Sequence, residues 1–528
     1  MVSCHNANNS KESLTKYTDY PEVDQNFMIQ GDSILYFIQN RHQESYVFRI
    51  KNNFIDTVFT QNPILSNIYL SNGSIAHLRD SCGNEQYNSA DKEICQALSQ
   101  EKIERLYSGH TGKYQIYKTT TAQNVYLYSW ETKTQKLLLP NTINFQHVCF
   151  SKNDSLAVFT EQGKLYLLYL QEGKFREIIT KLQTEKLNPS FADNEVYFCS
   201  RDTANFTAIY RINIADSLST EKLVYRQSKN DLRMPLKQGN DLYYIQISHS
   251  NYLLYRKNLQ TDRTEQITHT GVVYTYQSLG KNILFTYSSI RCPKILVGYR
   301  TDSNQCFYVL PLPTRDTNIA AILNTKESTD SNTYNILSNQ NKMAKAIILY
   351  IHPGVHSDFS PRYDPIVASF AHKGYQIIAP NYPGSTGYGW SYAMQGQDSA
   401  VEYLNQLKLR IKALNPNKPI LVLSQSSGNA LAEKLLSKYP DHITAAASLF
   451  GVSTGNTPNF KVPYIYILGT NDPVVKWPQR IEELQQSPQY NSTVQVYNYP
   501  SEGHWFRNPK HMEDAINRIE DFFIQHYH

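Results

Sequence analysis

A small polar turn running into an apolar strand recurs seven times in the first three hundred residues. No other feature constrains the fold as strongly. The copies are GDSILYF (31–37), NGSIAHL (72–78), TGKYQIY (111–117), NDSLAVF (153–159), DNEVYFC (193–199), NDLYYIQ (240–246) and KNILFTY (281–287). Their starts lie 41, 39, 42, 40, 47 and 41 residues apart. Most copies are followed by a second apolar run, such as YVFRI, VYLYSW, LYLLYL, AIYRI or YLLYRKNL. A period near forty with several short strands per repeat marks a β-propeller. One blade cannot bury both of its faces, whereas blades stacked around an axis can. Seven copies predict seven blades; a pair of β-sandwiches or a solenoid are the alternatives. Residues 80–100, with Cys82 and Cys95, read as a longer loop.

After about residue 305 the pattern changes. Buried strand candidates KAIILYIH (345–352), YQIIAPNY (375–382), PILVLS (419–424), AAASLF (445–450), VPYIYILG (462–469) and VQVYNY (494–499) alternate with amphipathic stretches. Near-continuous apolar strands separated by helices mean a mostly parallel sheet covered on both faces. The polar stretch TKESTDSNTYNILSNQNK reads as a surface loop or a poorly formed edge hairpin. The expected organisation is an N-terminal segment over 1–25, a propeller over 26–305 and an α/β domain over 306–528. The first segment is expected to pack on the α/β domain.

Composition narrows the function classes. A net charge of +5 spread over 528 residues, with no dense Lys/Arg cluster, gives no reason to expect a nucleic-acid partner. The 40 tyrosines suit half-buried pleated surfaces. No apolar run reaches the roughly 18 residues that span a bilayer, so no transmembrane segment is expected. MVSCHNANNSKES has no apolar signal core, and a cytoplasmic location is the default. The alternative is export, or lipid anchoring through Cys4 behind a trimmed signal. Cys82, Cys95, Cys149, Cys199, Cys292 and Cys306 are enough for three disulfides. No spacing reads as a metal site: His352 and His356 flank Pro353-Gly354 and do not share a helix face. No cofactor is expected.

The chemistry concentrates around LVLSQSSGNA (421–430). A buried strand running into small-x-Ser-x-Gly and then a helix describes a nucleophile elbow, with Ser426 at its tip. The turn demands small residues on either side, here Ser424 and Gly428. YILGTNDPVV places Asp472 after a buried strand, and YNYPSEGHWF places His504 after the next. The order Ser426, Asp472, His504 is that of α/β-hydrolases, and all three fall at carboxyl ends of strands. Ser426 is the candidate nucleophile, His504 the general base and acid, and Asp472 the group that orients the imidazole. Oxyanion donors are expected from the backbone N–H groups of Ser427 and Gly354.

These residues resemble the prolyl oligopeptidase family of serine peptidases, of the acylaminoacyl and dipeptidyl peptidase type. GYQIIAPNYPGSTGYGWSY (374–392) is similar to the family's Asn-Tyr-Arg-Gly-Ser-Thr-Gly-Tyr-Gly segment. IHPGV is similar to its His-Gly-Gly-Pro, GTNDPVV to its aspartate motif and EGHWF to its histidine motif. The resemblance implies an α/β-hydrolase behind a propeller, with His352 and Tyr388 supporting the site and the propeller limiting access to peptides. The departures are Ser424 and Asn429 in place of glycines, Pro383 in place of arginine, and Pro353-Gly354-Val355 in place of Gly-Gly-Pro. The 46 residues from Ser426 to Asp472 are fewer than usual, while the 32 from Asp472 to His504 are ordinary. The paired-glutamate motif of dipeptidyl peptidases is not matched. The expected function is a serine peptidase acting on short peptides. An esterase on the same triad, or an inactive homologue binding through its propeller, are the alternatives. The substrate is expected to be a peptide or small acyl compound; the oligomeric state is not readable.

Overall fold

The computed structural model describes residues 22–30, 34–41, 44–51, 54–61, 65–71, 74–80, 85–87, 103–119, 122–201, 205–216, 219–309, 323–327, 332–338, 344–354, 356–452, 461–475, 477–486 and 493–527. Among these residues the N-terminal part forms seven antiparallel blades in chain order. Their strands lie within 22–61, 65–87, 103–139, 145–178, 186–225, 231–266 and 272–308. The repeat read from the sequence is the second strand of every blade: Ile34–Arg41, Ser74–Asp80, Tyr114–Thr119, Leu156–Glu161, Glu195–Arg201, Asp241–Ser248 and Asn282–Ser289.

In the fourth to seventh blades this strand is largely apolar at its centre because it is buried on both faces. In the fourth blade, Ala157 and Phe159 pack on Ile116 and Leu127 of the third. Val158, between them, packs on Val196 and Phe198 of the fifth. Tyr197 and Cys199 then turn toward Leu242 and Tyr244 of the sixth. Tyr243 and Ile245 meet Phe285 and Val297 of the seventh. The ring closes where Phe27, Ile29 and Phe37 of the first blade pack on Leu284 and Leu296 of the seventh. The Gln277 side chain also donates to the Phe27 carbonyl at 2.9 Å. First blade against last excludes both a sandwich pair and an open solenoid.

Some local expectations change. Glu85–Tyr87 forms a short third strand in the second blade, inside the stretch read as a loop. The outermost strand of the seventh blade is Gln305–Tyr308, so the expected change of pattern at 305/306 falls within it. The first blade begins at Glu22. The packing expected of the N-terminal segment concerns residues 1–21, outside the described residues. Cys149, Cys199, Cys292 and Cys306 are thiols, so the three-disulfide arrangement does not form. Cys4, Cys82 and Cys95 lie outside the described residues. No helix among the described residues is long and apolar enough to cross a membrane.

The C-terminal sheet has eight strands: β1 (Leu323–Glu327), β2 (Thr333–Ser338), β3 (Ile347–Ile351), β4 (Gln376–Pro380), β5 (Ile420–Gln425), β6 (Ala445–Leu449), β7 (Tyr464–Gly469) and β8 (Val494–Tyr499). Their spatial order is β1-β2-β4-β3-β5-β6-β7-β8. From β4 onward all pairs are parallel; β1 and β2 form an antiparallel edge hairpin, which decides between loop and hairpin for that polar stretch. Helices α1 (Pro365–His372) and α5 (Pro509–Tyr527) cover one face, with Ile348 and Tyr350 beneath them. Helices α2 (Gln397–Leu414) and α3 (Gly428–Lys438) cover the other, over Ile347, Leu349 and Ile351. Helix α4 (Trp477–Gln485) lies between β7 and β8.

Candidate active site

Ser426 sits at the tip of the turn between β5 and α3, with φ at +46°. A non-glycine residue in this left-handed region is strained and is retained only where its surroundings enforce it. Here its N–H donates to the Leu449 carbonyl at 3.1 Å, and its carbonyl accepts from the Val452 N–H at 2.9 Å. Gly428 allows the turn to press against β3. A Cβ there would lie 2.6 Å from the carbonyl oxygens of both Ile351 and His352.

Asp472 follows the end of β7. One carboxylate oxygen accepts from the N–H groups of Val474 and Val475, each at 2.8 Å. The other faces His504 Nδ1 at 2.9 Å. The imidazole's Nε2 lies 2.7 Å from Ser426 Oγ. His504 is carried by the loop after β8, which packs on Gly469: a Cβ there would meet the carbonyls of Glu502 and Gly503 at 2.5 and 2.7 Å. Glu502 folds this loop. Its buried carboxylate accepts from the N–H groups of Arg507 and Asn508 and lies 2.7 Å from His511 Nδ1. Sequence reading included Glu502 only as part of the histidine motif.

The two non-glycine residues of the elbow are built into a hydrogen-bonded network behind it. Ser424 Oγ donates to the Ala447 carbonyl at 3.2 Å. Asn429, fully buried, donates to Glu433 Oε1 at 2.8 Å and to the Val452 carbonyl at 2.9 Å, and its oxygen accepts from the Tyr464 hydroxyl. Glu433 also accepts from the Tyr466 hydroxyl at 2.9 Å and is ion-paired with the buried Arg480. Helix α3, β7 and Trp477–Gln485 are thereby tied together behind Ser426.

The Ser427 N–H makes no hydrogen bond among the described residues. The Gly354 N–H donates to Ser427 Oγ at 2.8 Å. His352 is buried and stacks on Tyr382 with ring centroids 4.3 Å apart; its Nε2 lies 2.9 Å from Ser385 Oγ. Burial lowers its pKa to about 4, so the ring is neutral near pH 7. The Tyr388 hydroxyl accepts from Asn381 Nδ2 at 2.9 Å and from Ser250 Oγ, a propeller residue, at 3.2 Å.

Comparison with known proteins adds to this geometry. A family model described as serine aminopeptidase, S33, matches residues 342–454. That stretch contains Ser426 but not Asp472 or His504. No curated protein sequence matches the chain. Among solved structures, a puromycin-hydrolyzing peptidase of Mycobacterium tuberculosis superposes with a TM-score of 0.76 at 13% identity, over 98% of this chain and 96% of that one. A prolyl endopeptidase gives 0.75 at 10% identity, over 98% and 91%. The acylaminoacyl peptidase of Pyrococcus horikoshii gives 0.70 at 11% identity, over 97% of both.

The chain has the prolyl oligopeptidase-type fold. In this prolyl oligopeptidase-type arrangement, segment 381–391 forms part of the contact between the two halves. Asn381 Nδ2 donates to Ser250 Oγ at 3.0 Å. Gly387 and Gly389, both at positive φ, let the segment approach Ile247 and Phe206 of the propeller. Asn205 Nδ2 donates to Ser391 Oγ at 2.7 Å, and the Arg201 guanidinium lies 3.7 Å from the centre of the Trp390 ring. A cavity of about 510 Å³ remains between the halves, lined from the propeller by Arg233 and Tyr252 and from the α/β domain by Asp358 and Arg362. Ser426 and His504 do not line it. A smaller space of about 80 Å³ is lined by their chain neighbours Gln425 and Trp505 and shares Asp358, Ser360 and Arg362 with the cavity. Arg233 and Arg362 carry no sequence signal, because only the meeting of two distant segments brings them to one space.

Proposed function

We propose that the protein is a serine hydrolase that cleaves short peptides through an acyl-enzyme on Ser426. The observation that carries this reading is the hydrogen-bonded chain from Ser426 Oγ through His504 to Asp472, at 2.7 and 2.9 Å. In the proposed reaction Oγ attacks the scissile carbonyl while His504 Nε2 takes the hydroxyl proton. Asp472 accepts a hydrogen bond from Nδ1–H and stabilises the imidazolium. His504 then gives its proton to the leaving amine as the C–N bond breaks. Water, deprotonated by the same nitrogen, attacks the ester and releases the acid and Ser426.

The oxyanion forms beside the start of α3, where the Ser427 N–H is its first donor. Gly354 becomes the second by exchanging its present acceptor, Ser427 Oγ, for the oxyanion. A donor of this kind is worth about 100- to 1000-fold in turnover. A peptide substrate is supported by the partly enclosed cavity between the halves, large enough for a short chain, and by the peptidases among the structures with the same fold. The network behind Ser424 and Asn429 favours a working elbow over an inactive one, since the departures from glycine are hydrogen-bonded rather than strained.

The test is labelling by a fluorophosphonate probe, comparing native protein with Ser426→Ala. Labelling of the native protein alone is the expected result. Absence of labelling in folded native protein would overturn the reading. Matched peptide amides and acyl esters then decide between peptidase and esterase; faster turnover of esters with no peptide cleavage would replace the peptidase reading.

A further inference from the structure

The cavity between the halves is lined by three arginines, Arg201, Arg233 and Arg362, and by three carboxylates, Glu185, Asp231 and Asp358. Arg233 comes from the innermost strand of the sixth blade, Asp231–Gln238, and Arg362 from the loop between β3 and α1. Among the described residues neither guanidinium donates a hydrogen bond or has a carboxylate within ion-pair distance. Arg233 lies over the Tyr252 ring at 5.6 Å. Arg201, also on the wall, is already stacked on Trp390.

Asp358 and Asp364 act electrostatically on Arg362, and Asp358 also on Arg233, but both carboxylates make their hydrogen bonds elsewhere: Asp364 accepts from the Ile366 and Val367 N–H groups. Asp231 accepts from the Thr207 N–H and hydroxyl at 2.9 and 3.1 Å. Asp358 lines the cavity with both arginines, and its oxygen accepts from the Tyr252 hydroxyl at 2.9 Å. Burial raises the Asp358 pKa, against the lowering influence of the Tyr252 hydroxyl, Arg362 and Arg233. Glu185 is exposed at the rim. A guanidinium is always charged and carries five donors in a planar fork. Two of them lining one partly enclosed space, with no hydrogen-bond acceptor among the described residues, leave donors open to an anion with several lone pairs.

Resting on the peptidase reading above, we propose that Arg233 and Arg362 together bind a carboxylate of the substrate. Arg362 lines both the large cavity and the small space beside Gln425 and Trp505. A peptide whose scissile carbonyl lies at Ser426 therefore reaches the arginines within a short chain length. The carboxylate has two sources, the α-carboxylate of a chain end or an Asp or Glu side chain. The propeller contributes one arginine and the α/β domain the other, so a bound carboxylate also bridges the halves.

The experiment measures binding by calorimetry to the Ser426→Ala protein, which needs no turnover. The probes are one short peptide as free acid and as C-terminal amide, and an amidated pair differing by Glu or Gln. A charge-assisted pair predicts at least about tenfold tighter binding of the carboxylate-bearing member. Preference for free acid over amide assigns the α-carboxylate; preference for Glu over Gln assigns the side chain. Arg233→Gln and Arg362→Gln should each erase most of the preference while the amide binds as before. Arg233→Lys and Arg362→Lys, which keep charge and bulk, should retain part of it. Equal binding of all probes, no binding of any, or a preference surviving both glutamine variants would overturn the proposal. Fluorophosphonate labelling of the native protein is read separately. Preference without labelling sinks the hydrolase reading alone, and labelling without preference sinks the carboxylate site alone.

Discussion

At position 428 one methyl group decides whether the elbow forms. The end of β3 presents two carbonyl oxygens 2.6 Å from where that methyl would lie, and backbone cannot yield as a side-chain tip can. Gly428→Ala must push the start of α3 away from β3, carrying Ser426 Oγ and the Ser427 N–H with it. A displacement near 1 Å costs about 100-fold in rate. Steady-state kinetics should show that loss in kcat, whereas Gly396→Ala, with nothing within 4 Å of its added Cβ, should leave kcat unchanged. Equal activity of the two variants would refute the steric argument. Ser426, Asp472 and His504 were legible because each follows a buried strand in the order that an α/β-hydrolase requires. Arg233 and Arg362 were not, because their common space exists only after the halves meet, 129 positions apart in the chain. Tyr388 was read as supporting the site through the resemblance of its motif; its hydroxyl bonds to Asn381 and to Ser250 of the propeller.

Between residue and molecule, the element that matters is the strand-turn-helix unit of β5 and α3. Its departures from glycine look like damage in sequence, since a side chain at 424 or 429 crowds a sharp turn. The reason they are tolerated lies forty residues downstream in the Tyr464 hydroxyl, which no local pattern foretells. Tyr464→Phe removes the donor to Asn429 Oδ1 and leaves that buried oxygen short of a partner. The expected cost is about 1–3 kcal/mol, read as a lower denaturant midpoint, and an unchanged midpoint would show that the network does not hold the elbow. The strands were legible for a different reason. Burial on both faces makes them continuous apolar runs, in the blades and in the parallel sheet alike. The hairpin of β1 and β2 was ambiguous because it is polar and lies at the sheet edge, where burial leaves no periodic mark.

For the whole molecule, acid is the predicted weakness. Burial lowers the pKa of His352, in the α/β domain, and of His147, on the propeller wall of the cavity, each to about 4. In the unfolded chain both titrate near 6.5. Between those values the unfolded state binds more protons, so stability rises with pH. The contribution is complete above about pH 6.5 and is lost as pH falls toward 4. For His352 it amounts to at most about 3 kcal/mol, the product of the shift and 1.36 kcal/mol per unit. Melting curves from pH 7 to 4.5 should show a steep decline for the native protein and a shallower one for His352→Gln; parallel declines would exclude this histidine as a cause.

The closure of the ring has a consequence for how the chain reaches this structure. Contacts between consecutive blades join residues some forty positions apart, and each can form as soon as the second blade is made. The contact from Gln277 to Phe27 spans 250 positions. On loop-closure scaling the longer span costs about 1.6 kcal/mol more in chain entropy than a blade-to-blade step. No strand is exchanged across that seam among the described residues, so the extra cost is met by side-chain packing around Phe27, Phe37, Leu284 and Leu296 together with the Gln277 hydrogen bond. In the order of assembly, the first blade made is the one that waits longest for its second neighbour.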